Sequence, residues 1–106
     1  MVKYLTSMGD FTGAMKQSEE KLVVIDFTAT WCPPCRMIGP IFEKIAEESS
    51  DDFYAFKVDV DEASDIASEC GISAMPTFQF FKGGEKVDEF SGANEARLRD
   101  TIKKHM

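Results

Sequence analysis

The sequence predicts an α/β protein: a mixed central β-sheet flanked by helices, in the order β-α-β-α-β-α-β-β-α. Three observations carry this. Residues 22–27 (LVVIDF) form a near-continuous apolar run rich in β-branched side chains, the pattern of a strand buried on both faces. Ile38, Ile41, Phe42, Ile45 and Ala46 recur at i, i+3, i+4, i+7 and i+8, one face of an amphipathic helix. Residues 77–81 and 86–90 flank the turn Lys82-Gly83-Gly84-Glu85 and read as a hairpin. Strands alternating with helices need parallel crossovers, and the closing hairpin makes the sheet mixed.

The elements follow in order. Residues 2–5 read as a short strand. Ser7-Met8-Gly9-Asp10 resembles a capping box, and Phe11, Ala14 and Met15 then share one helical face. After the LVVIDF strand comes the amphipathic helix, with Pro40 inside it; a proline there removes a backbone hydrogen bond and predicts a kink. Tyr54, Phe56, Val58 and Val60 alternate with Ala55, Lys57 and Asp59, the period of a strand. A short helix over 62–69 is stopped by Gly71. In the hairpin, Phe78 and Phe80 share a face. Asn94 is an N-cap for a last helix that turns Leu98 and Ile102 inward and carries Lys103, Lys104 and His105 at its C-terminus, where cations are favoured.

The 106 residues fit a single domain, 1–106. The net charge of −7 argues against nucleic acid and against an anionic membrane surface, since both recruit Lys and Arg. Residues 1–10 lack the apolar run of a signal peptide, and no stretch has transmembrane length. The expectation is therefore a cytoplasmic protein. Three cysteines in that compartment are not a disulfide framework; a close Cys-x-x-Cys pair there means redox chemistry or metal.

That pair is Cys32 and Cys35, at the junction of strand and helix, where the chemistry of such sheets belongs. At three residues apart on a helix the sulfurs share a face and reach bonding distance. With Cys32 as N-cap, its sulfur meets the unpaired N–H groups and the positive end of the helix dipole, which favour the thiolate. Cys32 is then the nucleophile and Cys35, less exposed, resolves the mixed disulfide. Pro33 suits the first helical position and Pro34 removes the N–H of the second, which leaves the Cys35 N–H as the nearest donor. Asp26 interrupts an apolar strand. A buried carboxyl there has a raised pKa and can take the proton of Cys35, unless it is a purely structural group. Lys57, on the next strand, is either the partner of Asp26 or a surface lysine. Trp31, the single tryptophan, abuts Cys32 and reads as a half-exposed shield that touches substrate. Met75-Pro76 precedes a strand, as a turn proline does.

The stretches VVIDFTATWCPPCRMIGPIFEKIA, FKVDVDE and AMPTFQFFKGGEKVDEFSGA resemble the thioredoxin family over essentially the whole chain, most of all the cytosolic thioredoxins of animals. Trp-Cys-x-Pro-Cys after a strand aspartate, with Met-Pro-Thr about 40 residues later, is a very specific combination. The resemblance implies a thioredoxin fold and a protein-disulfide reductase with Cys32 attacking and Cys35 resolving. It implies that Asp26 is the buried acid with Lys57 beside it, and that Pro76 is cis and packs on the pair. Trp31, Pro33, Pro34, Met75, Pro76, Gly92 and Ala93 would line the groove for an extended substrate segment. No cofactor or metal would be bound. Electrons would come from NADPH through thioredoxin reductase, and clients would include peroxiredoxins, methionine sulfoxide reductases and ribonucleotide reductase. The protein would be a monomer of the cytoplasm, with the nucleus a second location.

The chain departs from the family at Pro33, where most members carry glycine. Pro-Pro occurs in some plant thioredoxins, tryparedoxins and nucleoredoxins, so the departure bears on potential and partner preference. Three other readings compete with this one. Cys32, Cys35, Cys70 and His105 could formally make a Cys₃His zinc site. A disulfide oxidase or isomerase would use the same fold with a more oxidising couple. A non-catalytic binding module would keep the groove without turnover. Cys70 itself reads as a small buried hydrophobe, with a regulatory thiol as the alternative.

Overall fold

A computed structural model of the chain describes residues 2–106; Met1, the first residue of the domain read from sequence, lies outside the described residues. Its elements are β1 (Lys3–Tyr4), α1 (Met8–Gln17), β2 (Val23–Thr28), α2 (Pro33–Glu48), β3 (Tyr54–Asp59), α3 (Ser64–Glu69), β4 (Thr77–Lys82), β5 (Glu85–Ser91) and α4 (Glu95–His105). The order agrees with the sequence reading, and boundaries differ by one or two residues. The capping box at α1 is half formed. Ser7 Oγ accepts from the Asp10 N–H, but the Asp10 carboxylate turns back to the Thr6 N–H and hydroxyl. Helix α3 starts at Ser64 rather than at 62, because the Asp59 carboxylate holds the Asp61 and Glu62 N–H groups in a preceding turn. Helix α2 runs unbroken through Pro40.

The five strands lie in the order β1-β3-β2-β4-β5. β2 is parallel to β3 and antiparallel to β4, so it is hydrogen-bonded on both sides. Both its faces are covered as well, which explains a run that is apolar from Val23 to Phe27 except at Asp26. Alternation along the strand divides the core in two. Val24, Phe78 and Phe80 face α2 and α4, where they meet Ile38, Phe42, Ile45, Leu98 and Ile102. Val23, Ile25, Phe27, Phe56 and Val58 face the other way, onto Ala14 of α1 and Ile66 of α3. Phe78 is the centre of the aromatic packing, edge-on to Phe42 and stacked on Phe90. Gly83 and Gly84 both take positive φ (65° and 80°), the two-residue turn that matches the twist of a hairpin. Asn94 caps α4 by accepting from the Arg97 N–H at 3.0 Å.

This arrangement ends β2 at the start of α2. It also brings the β4 entry, the β5 exit and the β3–α3 turn to the same end of the sheet.

Candidate active site

Cys32 is the N-cap of α2, with an extended backbone (φ −101°, ψ 107°). Pro33 and Pro34 occupy the first two helical positions and have no N–H to offer. The Cys35 N–H is thus the first donor of the helix, and it points at Cys32 Sγ from 3.3 Å. Cys32 and Cys35 are joined as a disulfide with their Cα atoms 5.2 Å apart, an ordinary span for such a bond. They pack with Ala29 and against Val60 and Met75, and are 4% and 2% exposed, Cys35 the less. The Cys32 sulfur lies 3.8 Å from the Met75 carbonyl oxygen.

Asp26 stands two residues after Val24 and so points to the α2 face of the sheet, the face on which Cys35 is buried. It is fully buried, and neither carboxylate oxygen has a hydrogen-bond partner among the described residues. Burial pushes its pKa from 3.8 up to about 7; the Lys57 charge pulls it down and the Glu43 charge pushes it up. A carboxyl in this state can hold or release a proton near neutrality.

The structure places Lys57 beside Asp26 but bonds its ammonium to another carboxylate. Lys57 is the register partner of Asp26 across β2 and β3, and it is buried, so it is no surface lysine. Its ammonium is hydrogen-bonded elsewhere, however, to Glu43 of α2 at 2.7 Å. A lysine side chain outreaches the strand spacing, and α2 supplies an acceptor farther along it. Lys57 acts on Asp26 through space, not as its bonded partner.

Around the disulfide lie the other residues singled out from sequence. Trp31 is 60% exposed, more than the half-exposure read from sequence, and its indole N–H donates to Asp61 Oδ2 at 2.8 Å. Pro33 and Pro34 are exposed, Met75 is half-buried and Pro76 is buried. The Met75–Pro76 bond is cis. The Pro76 carbonyl accepts from the Gly92 N–H at 2.9 Å, which ties the β5 exit to the β4 entry. Gly92 takes φ +106°, a conformation that favours glycine. Ala93 packs on the α2–α4 core. The structure thus places Trp31, Cys32, Met75, Pro76, Gly92 and Ala93 at one end of the sheet.

Three residues of the site escaped the sequence reading: Gly39, Glu43 and Asp61. Gly39 and Glu43 are one turn apart on α2, on the side that Lys57 reaches. Asp61 sits in the turn before α3. Only the strand register and the helix docking bring them in, and no local motif marks them.

Cys70 is half-buried at the end of α3 and packs on the α1–α3 core. Burial, followed by the Glu69 charge, pushes its thiol up to about 11, the behaviour of a packed, unreactive cysteine. Among the described residues, no three His, Cys, Asp or Glu side chains gather as a metal-holding group, and no helix is long and apolar enough to cross a membrane.

Comparison with known proteins agrees with this geometry. The thioredoxin family profile matches residues 2–104. The thioredoxin of Ictalurus punctatus is 51% identical over 106 residues, 99% of each chain, and that of Equus caballus 53% over 103 residues, 97% of each. Among solved structures, Fasciola hepatica thioredoxin superposes with a TM-score of 0.93 at 43% identity, covering 99% of this chain and all of its own. Another, with a TM-score of 0.86 at 38% identity, covers 97% of this chain and 94% of its own. It comes from work on thiol resolution in a yeast mitochondrial 1-Cys peroxiredoxin via glutathione/thioredoxin systems. With the fold, the Cys-x-x-Cys pair at disulfide distance and relatives of this closeness over nearly the full length, the chain belongs to the thioredoxin family and is a thiol–disulfide oxidoreductase whose redox pair is Cys32–Cys35.

Proposed function

We propose that the chain reduces protein disulfides, with Cys32 as nucleophile, Cys35 as resolving thiol and Asp26 as the proton acceptor. The observation that carries this is the combination of a sulfur at a helix N-terminus, held by the Cys35 N–H, with a buried carboxyl that has no hydrogen-bond partner among the described residues. In the reduced protein the Cys32 thiolate attacks one sulfur of a client disulfide. The client S–S bond breaks, and the other client sulfur leaves with its electron pair and takes a proton. Asp26 then accepts the Cys35 proton, and the Cys35 thiolate attacks Cys32 Sγ. The mixed disulfide breaks, the second client thiol is released, and two electrons have passed to the client. The protein is left in the Cys32–Cys35 disulfide form.

Two electrons must return for the next cycle. We infer NADPH, through thioredoxin reductase, as their source, in keeping with the family. Peroxiredoxins, methionine sulfoxide reductases and ribonucleotide reductase are the client classes inferred. The peroxiredoxin system studied with the yeast relative supports the first of these. An extended client strand would lie across Trp31, Pro33, Pro34, Met75, Pro76, Gly92 and Ala93. A monomer acting in the cytoplasm, and also in the nucleus, completes the proposal.

Cys35→Ser tests it. Mixed with a disulfide protein such as insulin, the variant should accumulate a mixed disulfide at Cys32, read by mass spectrometry, while the parent chain accumulates none. Asp26→Asn should slow resolution in the parent background. A trapped adduct at Cys70, or a resolution rate indifferent to Asp26, would refute the assignment. Equilibration against glutathione distinguishes the oxidase reading: about −270 mV, the figure known for thioredoxin itself, supports a reductase, and about −180 mV an isomerase.

A further inference from the structure

The buried ammonium of Lys57 has two acidic neighbours to choose between, and the structure shows its choice. Asp26 is its register partner on the adjacent strand, and both side chains lie on the α2 face of the sheet. Glu43 approaches from α2, and its carboxylate takes the ammonium at 2.7 Å. The path to Glu43 passes Gly39, one helical turn earlier. A Cβ built on Gly39 would stand 3.3 Å from Lys57 Nζ, tighter than an ordinary contact. The glycine leaves room for the ammonium against the helix backbone, and Glu43 holds it there. On the other side, the Tyr4 ring lies 5.9 Å from the same ammonium. Tyr4, Gly39 and Lys57 border a cleft of about 390 Å³ that also reaches Cys35, Arg36 and Asp59.

We propose that Gly39 and Glu43 form a seat that draws the Lys57 ammonium away from Asp26, so that Glu43 is a positioning residue that limits how much of the lysine's charge the buried carboxyl feels. With the ammonium seated, Asp26 remains without a hydrogen-bonding partner among the described residues and keeps its proton to a higher pH than it would with the ammonium bonded to it. The charged groups that act on the carboxyl are Lys57 of β3 and Glu43 of α2, and the cleft beside Lys57 adds Asp59 of β3, Cys35 and Arg36 of α2, and Tyr4 of β1. The β4 partner of Asp26 is Phe78, which carries no charge. Arg36 is turned to the Thr30 carbonyl at 2.9 Å. The inference rests on the proposed role of Asp26 for its bearing on turnover, but not for its effect on the carboxyl itself.

The test is the titration of the Asp26 carboxyl carbon by NMR in the oxidised full chain, for the parent, Glu43→Gln, Glu43→Asp, Lys57→Met and the Glu43→Gln/Lys57→Met double variant. Glu43→Gln keeps the side-chain volume and should lower the midpoint by about one pH unit, as the freed ammonium turns to Asp26. Glu43→Asp should restore most of the parent value, and Lys57→Met should raise it. In the Lys57→Met background the Glu43→Gln shift should shrink to less than half. An unmoved midpoint in Glu43→Gln overturns the seat. So does an equal shift with and without Lys57, which would mean that Glu43 acts by its own charge alone. The pH profile of client reduction is recorded on the same variants. A profile that follows the Asp26 midpoint supports both readings. A midpoint that moves under a fixed profile supports the seat and overturns Asp26 as the proton acceptor.

Discussion

Replacing Asp26 by asparagine should stabilise this protein at alkaline pH and leave it nearly unchanged at acid pH. Burial raises the carboxyl from 3.8 to about 7. In the unfolded chain the group ionises near its ordinary value, so between the two values the folded state holds a proton that the unfolded state has lost. Stability then falls as pH rises, by about 1.4 kcal/mol per pH unit. The contribution is complete below the unfolded value and is lost as pH climbs through the folded value. From 3.8 to about 7 the loss amounts to about 4 kcal/mol, with a plateau above. Asparagine is neutral throughout and close in volume, and it lacks a partner in the same place that the protonated acid does. Other titrating groups are common to both proteins and cancel in the difference. Denaturant unfolding of the oxidised parent and Asp26→Asn from about pH 4 to about pH 9 measures that difference directly. It should grow from near zero to about 4 kcal/mol. A difference that stays flat within about 1 kcal/mol would refute the raised carboxyl, and with it the physical basis for Asp26 as a proton acceptor near neutrality.

Other perturbations separate the roles of the site from those of the core. Trp31→Ala removes an exposed side chain whose one hydrogen bond is to Asp61, so unfolding midpoints should move little, while the KM for a protein client rises roughly five-fold, about 1 kcal/mol. Equal KM values for parent and variant would remove Trp31 from the client surface. Phe78→Ala leaves a cavity between Phe42 and Phe90 and should cost about 3–5 kcal/mol in denaturant unfolding. Pro33→Gly loosens the unfolded chain at a position whose φ suits proline and should lower stability by about 1 kcal/mol. The substitution adds an N–H at position 33 but leaves the Cys35 N–H on Cys32 Sγ in place, so the reduction potential should stay within about 30 mV of the parent's, measured against glutathione.

What could be read from the chain was what local chemistry writes into it. β2 was legible because a strand covered on both faces has few polar positions, and the aspartate that breaks its run was legible for the same reason. The N-caps Cys32 and Asn94 and the paired glycines of the β4–β5 turn answer to rules of a few residues. The strand order β1-β3-β2-β4-β5 is not written locally, because it depends on which crossovers the helices make. The pairing of Lys57 with Glu43 is hidden for a related reason. Asp26 and Glu43 compete for one ammonium, and the outcome turns on the space above Gly39, which exists only once α2 has docked. Trp31 and Asp61 are 30 residues apart and meet only because β2 and β3 end side by side.

The Asp26 carboxyl is hard to explain as a structural element. A group placed for stability would be paired, as Gln79 is by donating to Glu89 and to the Cys70 carbonyl, or Ser18 by its bonds to Met15 and Gly84. Asp26 has no such partner among the described residues, and its raised pKa predicts a loss of about 4 kcal/mol at alkaline pH in a class of proteins whose total is about 5–15 kcal/mol. Lys57, whose charge acts on it, is held by Glu43. Each of these features works against the fold and in favour of a carboxyl that changes protonation near neutrality. The resolving step needs such a group, because a thiol buried as deeply as Cys35 has little water to take its proton. On the proposed mechanism, the stability given up in the core and the proton taken from Cys35 are two consequences of the same group.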